Sequence, residues 1–427
     1  MASDTPTHYE MTTSEQKLPA DKFPEGGYGW VCVICTFFVN AHTWGVNSAY
    51  GVFLAYYLYS DVFPGTTAID YAFIAGLSIS VAMFISPLAT YLSHKATHRF
   101  VLNLGTILET LSLITTSFAK RNWELFLSQG VCFGLGLGFC YIGSVGIISH
   151  WFEKRRSVAN GIAAAGSGFG GMVYSLATSA MISHLGFPWA MRILGILCFS
   201  VNTVCGNLLR VRGSVASKQP ALHFSLFKRP EYLAFLAWGA LSAMAYIALL
   251  FSLSSYSVAI GLTQHQGSIA TALLNLGQAI GRPAVGLLSD KLGRIEVALT
   301  ATFLAGFLSL VMWIFAQSIA TIYAFAILVG LFSGTIWAAA PALGAEVVEL
   351  SELSSALCFL WFILAPPTSV AEVIALQLRG GVVGDKEYLR VQLFIGFIYI
   401  GASCCLVPLK FGFRRRKLER AKSIPRS

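Results

Sequence analysis

The sequence has few charged side chains: Asp, Glu, Lys and Arg make up 11% of its 427 residues, whereas apolar residues make up 56%. Soluble domains of this length need more polar surface than that. The start of the chain also lacks the features of a cleaved signal, because residues 1–22 are polar and mixed in charge, without a short apolar core. The composition therefore excludes a soluble protein and indicates a surface that is covered by the lipid bilayer.

The sequence is also poor in the residue groupings that enzymes and metal sites need. Its nine cysteines all fall inside apolar runs, so we expect no disulfides. Cys32 and Cys35 have the spacing of a redox or zinc half-site, but no second ligand pair accompanies them. Residues 166–171 satisfy the pattern of a dinucleotide-binding loop, but no strand precedes them. We expect no cofactor, no metal and no enzymatic activity.

Long apolar runs dominate the sequence instead. A helix that crosses a bilayer needs ~20 mostly apolar residues, and such runs recur from Gly29 to Leu409. We predict an all-α membrane protein with twelve transmembrane helices: Gly29–Tyr57, Tyr71–Leu92, Phe100–Ala119, Trp123–Ile148, Ser157–His184, Phe187–Leu209, Tyr232–Val258, Ile269–Ser289, Val297–Ala316, Thr321–Val347, Leu353–Leu378 and Tyr388–Leu409.

The longest internal break follows the sixth run and suggests two six-helix bundles. The predicted units are an N-terminal tail, a first bundle, a linker, a second bundle and a basic tail, at residues 1–28, 29–209, 210–231, 232–409 and 410–427. The four even-numbered connections hold 12 Lys and Arg residues, the odd-numbered ones five, and the tail after Leu409 eight. By the positive-inside rule, both termini face the cytoplasm.

The net charge of +9 mostly reflects this asymmetry, so we expect no nucleic-acid partner. The predicted location is the plasma membrane, with a vacuolar or other internal membrane as the alternative.

The two predicted bundles share a short internal repeat. Residues 87–95 align without a gap to residues 283–291, and both copies have Pro, Leu, Ser and Lys in register. Weak repetition at the same place in two halves is typical of transporters built from duplicated bundles.

The second copy of the repeat continues into the connection before the ninth predicted helix, and it contains Gly286, Asp290, Lys291, Gly293 and Arg294. With these residues it resembles the loop motif of the major facilitator superfamily. Two of them, Asp290 and Arg294, can engage a facing helix terminus or a partner charge. The first copy has lost the motif, because its corresponding positions are Thr90, His94, Thr97 and His98.

Two longer motifs narrow the resemblance. Residues 25–30, Glu-Gly-Gly-Tyr-Gly-Trp, precede the first run, and residues 150–166 open the fifth with His-Trp-Phe-Glu-Lys-Arg-Arg. Together they resemble the paired signatures of the monocarboxylate-transporter family, which includes fungal permease-like proteins. The positions that we single out are Gly26, Gly27, Tyr28, Trp30, Lys154, Arg155, Arg156, Gly161 and Gly166. The resemblance implies two pseudo-symmetric six-helix bundles that work by alternating access.

Arg390 lies in the first turn of the twelfth predicted helix and is counted with the connection before it; the other cations inside the predicted helices are Arg192 and Arg282. A charge at this depth costs at least ~2.5–3.5 kcal/mol, so it should face a wet cavity or a partner. Arg282 is the stronger candidate, with Asn275 and Gln278 at helical offsets toward the same side. The resemblance implies that an arginine in this region binds a substrate carboxylate, which the guanidinium fork suits. A structural ion pair is the alternative.

Among the other ionisable residues inside the predicted helices, we single out Glu109, Glu372 and His42. Either glutamate could carry a coupling proton or serve structure, and His42 could line a cavity or be a satisfied buried residue. Pro366 and Pro367 predict a break or kink in the eleventh helix.

The sequence departs from the animal carriers of this family, which have a lysine and an acidic residue where this chain has Ser48 and Gln278. That difference argues against proton-coupled symport of lactate or pyruvate by their scheme.

We predict a secondary-active transporter of a small organic solute, a carboxylate or a fungal metabolite. The alternatives are an exporter of a secondary metabolite and a non-transporting nutrient sensor with a carrier fold. Proton coupling, transport direction and oligomeric state stay open.

Overall fold

The computed structural model describes residues 24–60, 63, 66–211, 222–380 and 387–423. The predicted tail before residue 24, linker residues 212–221 and the last four residues of the basic tail lie outside this part. The described residues form helices joined by short connections, with no strand among them. The prediction of an all-α protein is confirmed.

The described residues contain twelve successive helical segments, several of them made of shorter helices separated by single residues. The first six are α1 (Tyr28–His42, Trp44–Ser48 and Tyr50–Ser60), α2 (Ala68–Phe84 and Ser86–Lys95), α3 (His98–Thr116), α4 (Asn122–Leu125, the π-helical Phe126–Cys132, Phe133–Val145 and the 3-10 turn Ile147–His150), α5 (Arg156–Leu185) and α6 (Phe187–Leu208). After a 3-10 turn at Phe224–Lys228 come α7 (Pro230–Ala259), α8 (Gln264–Leu292), α9 (Arg294–Val311 with the turn Trp313–Phe315), α10 (Ile319–Ser333 and Thr335–Val347), α11 (Leu353–Leu378) and α12 (Leu389–Ser423).

Nine of these segments are long and apolar enough to cross a bilayer, judged by length and composition in the described residues. The other three are α3, α5 and α8. Helices α5 and α8 pack extensively against each other, so protein rather than lipid covers much of their polar and glycine-rich surface. This packing explains how less apolar helices can belong to a membrane bundle.

Contacts between the helices group them into two sets. In the first set α1 packs on α5 and α6, and α3 packs on α4 and α6; in the second, α8 packs on α10, and α12 packs on α7 and α9. The sets meet where α5 contacts α8 and where α2 contacts α11. We call these contacts the α5–α8 seam and the α2–α11 seam, and we call the end of the bundle with the even-numbered connections the basic end.

Glycines permit the close approach of the helices in the α5–α8 seam. A Cβ atom on Gly286 would lie 2.5 Å from the carbonyl oxygen of Ser157, and one on Gly161 would collide with the carbonyl oxygen of Arg282. Larger side chains at either position would push the two backbones apart.

The interruptions of the helices differ from those that the sequence predicts. Helix α1 is interrupted at Thr43 and Ala49, and α10 at Gly334. Helix α11, in contrast, continues through Pro366 and Pro367 without a break. Its packing between α2 and α7 supports the backbone at these prolines.

Helix α12 is longer than the sequence predicts, since it continues to Ser423. The residues after Leu409 are mostly good helix formers, so the backbone pattern persists into the predicted basic tail.

Candidate functional site

A cavity lies between the two sets of helices. It leaves about 630 Å³ of empty space, counted together with the part that opens to the outside. Its wall residues belong to α1, α2, α4 and α5 of the first set and to α7, α8 and α10 of the second. A cavity with walls from both sets changes shape whenever one set moves relative to the other.

Arg282 of α8 is the charged residue in this wall. The residue is only 4% exposed. One terminal nitrogen donates to the carbonyl oxygen of Ala164 at 2.6 Å and to the hydroxyl of Ser167, and the other donates to the amide oxygen of Gln278 at 2.5 Å. The Nε atom has no partner among the described residues. The guanidinium therefore connects α8 to α5 and keeps one donor free.

The charge of Arg282 is balanced by neutral dipoles. The ion pairs of the described residues include none with Arg282. A buried charge without a counter-charge is costly, and it creates a positive potential that attracts anions. The cavity wall is therefore suited to bind a negatively charged group.

Gln278 and Asn275, which the sequence places beside Arg282, have different surroundings. The amide oxygen of Gln278 accepts hydrogen bonds from Arg282 and from the hydroxyl of Tyr246, the latter at 3.0 Å. Asn275 is buried where α8 approaches Gly171 of α5, and neither Asn275 nor Gln278 is a wall residue. Gln278 holds the guanidinium in position, whereas Asn275 belongs to the helix packing.

Sequence reasoning missed four aromatic residues of the wall: Trp44 of α1, Tyr141 of α4, Tyr246 of α7 and Trp337 of α10. The Trp337 ring lies 5.2 Å from that of Trp44, 6.3 Å from that of Tyr141 and 5.9 Å from that of Tyr246, measured between centroids. The rings of Trp44 and Tyr141 are 5.6 Å apart and nearly perpendicular. We call these four side chains the aromatic cluster. Nothing in their local sequence distinguishes them from the other aromatic residues of the helices.

The α1 side of the cavity wall is polar. Asn40 donates to the carbonyl oxygen of Ala163 at 3.0 Å, and Asn47 donates to the hydroxyl of Ser78 at 2.8 Å. The polar wall residues of α1 are Thr36, Asn40, Asn47 and Ser48. Together they give the cavity uncharged hydrogen-bonding groups.

His42 itself lies outside the cavity wall. Its Nδ1 atom is 2.8 Å from the carbonyl oxygen of Phe38, and its ring contacts that of Tyr174 at 5.6 Å. It is therefore a buried, hydrogen-bonded residue.

The two candidate glutamates are also remote from the wall. Glu109 is fully buried and accepts a hydrogen bond from the amide of Asn202 at 2.9 Å, which links α3 to α6. Glu372 is half-buried on α11, near the hydroxyl of Tyr50. Neither carboxyl group contributes to the cavity.

At the basic end, Asp290 caps the first turn of α5. Its carboxylate accepts hydrogen bonds from the backbone N–H groups of Ser157 at 3.0 Å and Val158 at 2.8 Å. An acidic group at a helix N-terminus is stabilised by the free N–H groups and the helix dipole. Asp290 thus joins α8 of one set to α5 of the other.

Arg294 reinforces the same contact. Its guanidinium donates to the hydroxyl of Ser157 at 3.0 Å, to the carbonyl oxygen of Glu153 at 2.5 Å and to the carboxylate of Glu346 at 3.0 Å. Gly293 makes the turn between α8 and α9 with a φ of 112°, and Lys291 is exposed. This part of the motif is therefore built around Asp290 and Arg294.

The two signature motifs contact each other. The carboxylate of Glu25 accepts hydrogen bonds from the backbone N–H groups of Glu153, Lys154 and Arg155 at 2.8, 2.6 and 3.2 Å. Partial burial alone would raise the pKa of Glu25, but these N–H groups and the Lys154 charge outweigh it, so that the pKa lies below its ordinary value. Glu25 therefore fixes the connection that Arg294 also contacts.

Aromatic rings complete this contact. Trp30 packs on Phe152 with centroids 5.0 Å apart, and Tyr28 packs on Trp151 at 5.9 Å.

The other signature positions serve the backbone or the surface. Gly27 precedes α1 with a φ of 59° and follows Gly26. The Nε atom of buried Arg156 donates to the carbonyl oxygen of Phe152 at 2.9 Å, and Lys154 and Arg155 are exposed. A Cβ atom on Gly166 would collide with the carbonyl oxygen of Phe37, so this glycine allows α5 to approach α1 closely.

Twelve helical segments in two sets, with a cavity between them, are the architecture of a polytopic membrane transport protein. The sequence model of the Major Facilitator Superfamily matches residues 32–263 and 233–363. The chain belongs to the Major Facilitator Superfamily.

Similar proteins are named as transporters. The chain is 35% identical to the probable transporter MCH2 of Saccharomyces cerevisiae over 90% of its own length and 82% of that protein. It is 34% identical to the uncharacterized transporter ESBP6 of the same yeast, over 98% of its length but only 64% of that protein. It is 23% identical to the agnestins efflux protein AgnL12 of Paecilomyces divaricatus, over 96% of this chain and 93% of that one. Membrane transport is thus the general function, and the narrower monocarboxylate-transporter resemblance stays a prediction.

Proposed function

We propose that this protein is a secondary-active transporter that carries an organic carboxylate by alternating access, and that Arg282 binds the carboxylate. The observation that supports this proposal is the buried guanidinium in the cavity wall, with neutral partners and a free Nε donor. A carboxylate would supply the missing counter-charge, and a fork of N–H donors fits its two oxygens.

In this proposal, substrate binding and movement of the helices are linked through the partners of Arg282. Its bonds to Ala164 and Ser167 cross the α5–α8 seam. A carboxylate that competes for the same N–H groups would weaken this contact. The substrate would then change the relative stability of two arrangements of the bundles, as alternating access requires.

We further propose that the basic end faces the cytoplasm and that the two predicted bundles, residues 29–209 and 232–409, are the moving units. A proton coupled through Glu109 or Glu372 would have to act at a distance, because neither residue lines the cavity.

The decisive comparison is between Arg282 and Arg192, a second arginine within the helices. Arg192 donates to the hydroxyl of Ser117 at 3.1 Å and is not a wall residue. In proteoliposomes reconstituted with the wild-type protein, we expect uptake of at least one of labelled acetate, lactate and benzoate. Arg282→Gln should lower that uptake at least ~10-fold, since losing one partner of a buried charge pair costs ~2–5 kcal/mol.

Arg192→Gln should leave the uptake within about twofold, because exposed or peripheral charges contribute ~0–1 kcal/mol. Undiminished uptake by Arg282→Gln would refute the proposal, as would an equal loss in both variants.

Export of a secondary metabolite is the second candidate function, and the similarity to the agnestins efflux protein favours it. Transport into right-side-out and inside-out vesicles, measured with the same labelled acid, would separate export from uptake.

A further inference from the structure

We infer that the substrate is an aromatic monocarboxylic acid, which places its carboxylate at Arg282 and its ring against the aromatic cluster. This inference rests on the proposed function and names the class of substrate that the cavity fits. Three features of the wall support it: the position of the rings, the free polar atoms and the sign of the charge.

The aromatic cluster lies next to the cation. The phenol groups of Tyr141 and Tyr246 are close enough to Arg282 to interact with its charge, and Tyr246 shares the acceptor Gln278 with it. A ligand bound by the guanidinium would therefore extend into the ring-lined part of the cavity. The part of the ligand next to its carboxylate would contact the faces and edges of these rings.

The four rings come from four different helices, two in each set of the bundle. Trp44 and Tyr141 belong to the first set, Tyr246 and Trp337 to the second, and Trp337 contacts all three others. A planar ligand ring that entered this cluster would replace contacts between the protein's own rings by contacts between those rings and the ligand. An aliphatic body would forfeit the offset-stacked and edge-to-face geometry that aromatic pairs prefer.

The cluster also has hydrogen-bonding capacity to spare. The hydroxyl of Tyr141 and the Nε1 atom of Trp44 are buried and have no partner among the described residues. Tyr141 is only 4% exposed, so solvent does little to satisfy its hydroxyl. A hydroxyl or carbonyl substituent on the ligand ring would satisfy these groups.

The charges of the wall restrict the ligand further. Arg282 is the one charged side chain among the cavity-wall residues in the described part of the chain. The asparagines of α1 and α5 that also line the wall are neutral. A second carboxylate on the ligand would lack a cation, and an ammonium group would lack an acidic partner. The cavity therefore favours a monoanion over a dicarboxylate or an amino acid.

Benzoate and cyclohexanecarboxylate test this inference, because both are anions at neutral pH and have similar size. Cyclohexanecarboxylate is the more apolar of the two, so a general hydrophobic preference would favour it. We expect the purified full-length protein to bind labelled benzoate, and unlabelled benzoate to displace the label at ~3- to 10-fold lower concentration than cyclohexanecarboxylate does.

Two variants of Trp337 test where the preference originates. Trp337→Leu should bring the two acids within about twofold of each other, whereas Trp337→Phe, which keeps a ring, should retain most of the preference. Gel filtration of both variants checks that they are folded. Phenylalanine, which adds an ammonium group, should not displace the label.

The outcomes separate this inference from the proposed function. Equal affinities for the two acids in the wild type, or an unchanged preference in Trp337→Leu, would overturn the aromatic class. If Arg282→Gln then still lost both acids, the carboxylate proposal would stand. Binding of both acids by Arg282→Gln would remove the carboxylate proposal itself. Failure of the wild type to bind either acid would overturn the aromatic class, whereas the uptake of acetate and lactate would still decide the carboxylate proposal.

Discussion

The α5–α8 and α2–α11 seams join the same two sets of helices, yet their contacts at the basic end differ. In the α5–α8 seam, Asp290 and Arg294 contact the first turn of α5. The corresponding residues of the internal repeat, His94 and His98, border a second cavity between α2, α3, α4 and α11, with about 490 Å³ of empty space counted together with the part that opens to the outside. The repeat has thus preserved the placement of the helices without preserving the contacts between them.

The first turn of α11 is held by the linker instead of by α2. Arg229 forms a bidentate ion pair with Glu352 at 2.8 and 3.0 Å, and the backbone N–H of His223 donates to the hydroxyl of Ser355 at 2.7 Å. Helix α2 itself contributes a neutral hydrogen bond to α11, from Ser86. We therefore expect the α2–α11 seam to separate at the basic end more readily than the α5–α8 seam.

The largest expected effect comes from placing the same side chain in both seams. Gly286→Val should destabilise the protein by ~1–3 kcal/mol, because its Cβ would lie 2.5 Å from the carbonyl oxygen of Ser157 and 2.8 Å from the Cα of Val158. Thermal unfolding in detergent measures this loss.

Thr90→Val, at the equivalent position of the first copy, is the matched control. A threonine already occupies this site, so we expect the variant to lose only a hydroxyl contact, ~0.5–1.5 kcal/mol. Equal destabilisation by the two valines would show that the helices are packed equally closely in both seams, and the proposed difference between the seams would be wrong.

A smaller effect is expected from the charge at the α5 terminus. Asp290→Asn should weaken the cap by ~0.5–2 kcal/mol and shift the protein toward a state that is open at the basic end. Cys358, a buried residue that lines the second cavity, reports this opening through its rate of reaction with a membrane-permeant maleimide. We expect faster labelling in Asp290→Asn, with Cys358→Ser to identify the labelled site.

His94→Asn is the control for this experiment, since it changes the equivalent position in the other seam. Labelling of Cys358 should change little, because none of the ion pairs among the described residues includes His94. If His94→Asn accelerated labelling as much as Asp290→Asn does, the ionic contact would have no special role.

The smallest effect concerns Glu25, which supports the α5–α8 seam indirectly. Its pKa in the folded protein lies below the ordinary 4.5. Its stabilising contribution is therefore present above pH 4.5 and lost as the pH falls through the folded-state value. Between neutral pH and about pH 3.5, the melting temperature of the wild type should fall more than that of Glu25→Gln. Parallel melting curves would mean that Glu25 contributes nothing.

The positions of the helices could be predicted from the sequence because each apolar run must satisfy its own backbone hydrogen bonds in lipid. The position of Arg282 beside a cavity and polar partners was predictable for the related reason that a cation at this depth needs water or a partner. The single-residue interruptions of α1 and α10 were not, and neither was the continuity of α11 through Pro366 and Pro367. Such features depend on the neighbouring helices and not on the local residues.

The aromatic cluster shows the same limit. Trp44, Tyr141, Tyr246 and Trp337 are far apart in the chain, and each belongs to a helix that is rich in apolar side chains. Their contact exists only because four helices from both sets meet at one cavity. No periodicity within one helix reports which of its faces will meet the others.

By itself, the sequence determined that this protein is a helical membrane protein, where its helices lie and that Arg282 needs special surroundings, because solvation in a bilayer acts on each segment separately. The tertiary structure alone decided that Arg282 has neutral partners, that Glu109 and His42 are remote from the cavity, and that the two seams differ. Those properties depend on which residues of distant segments come into contact, and only packing determines that.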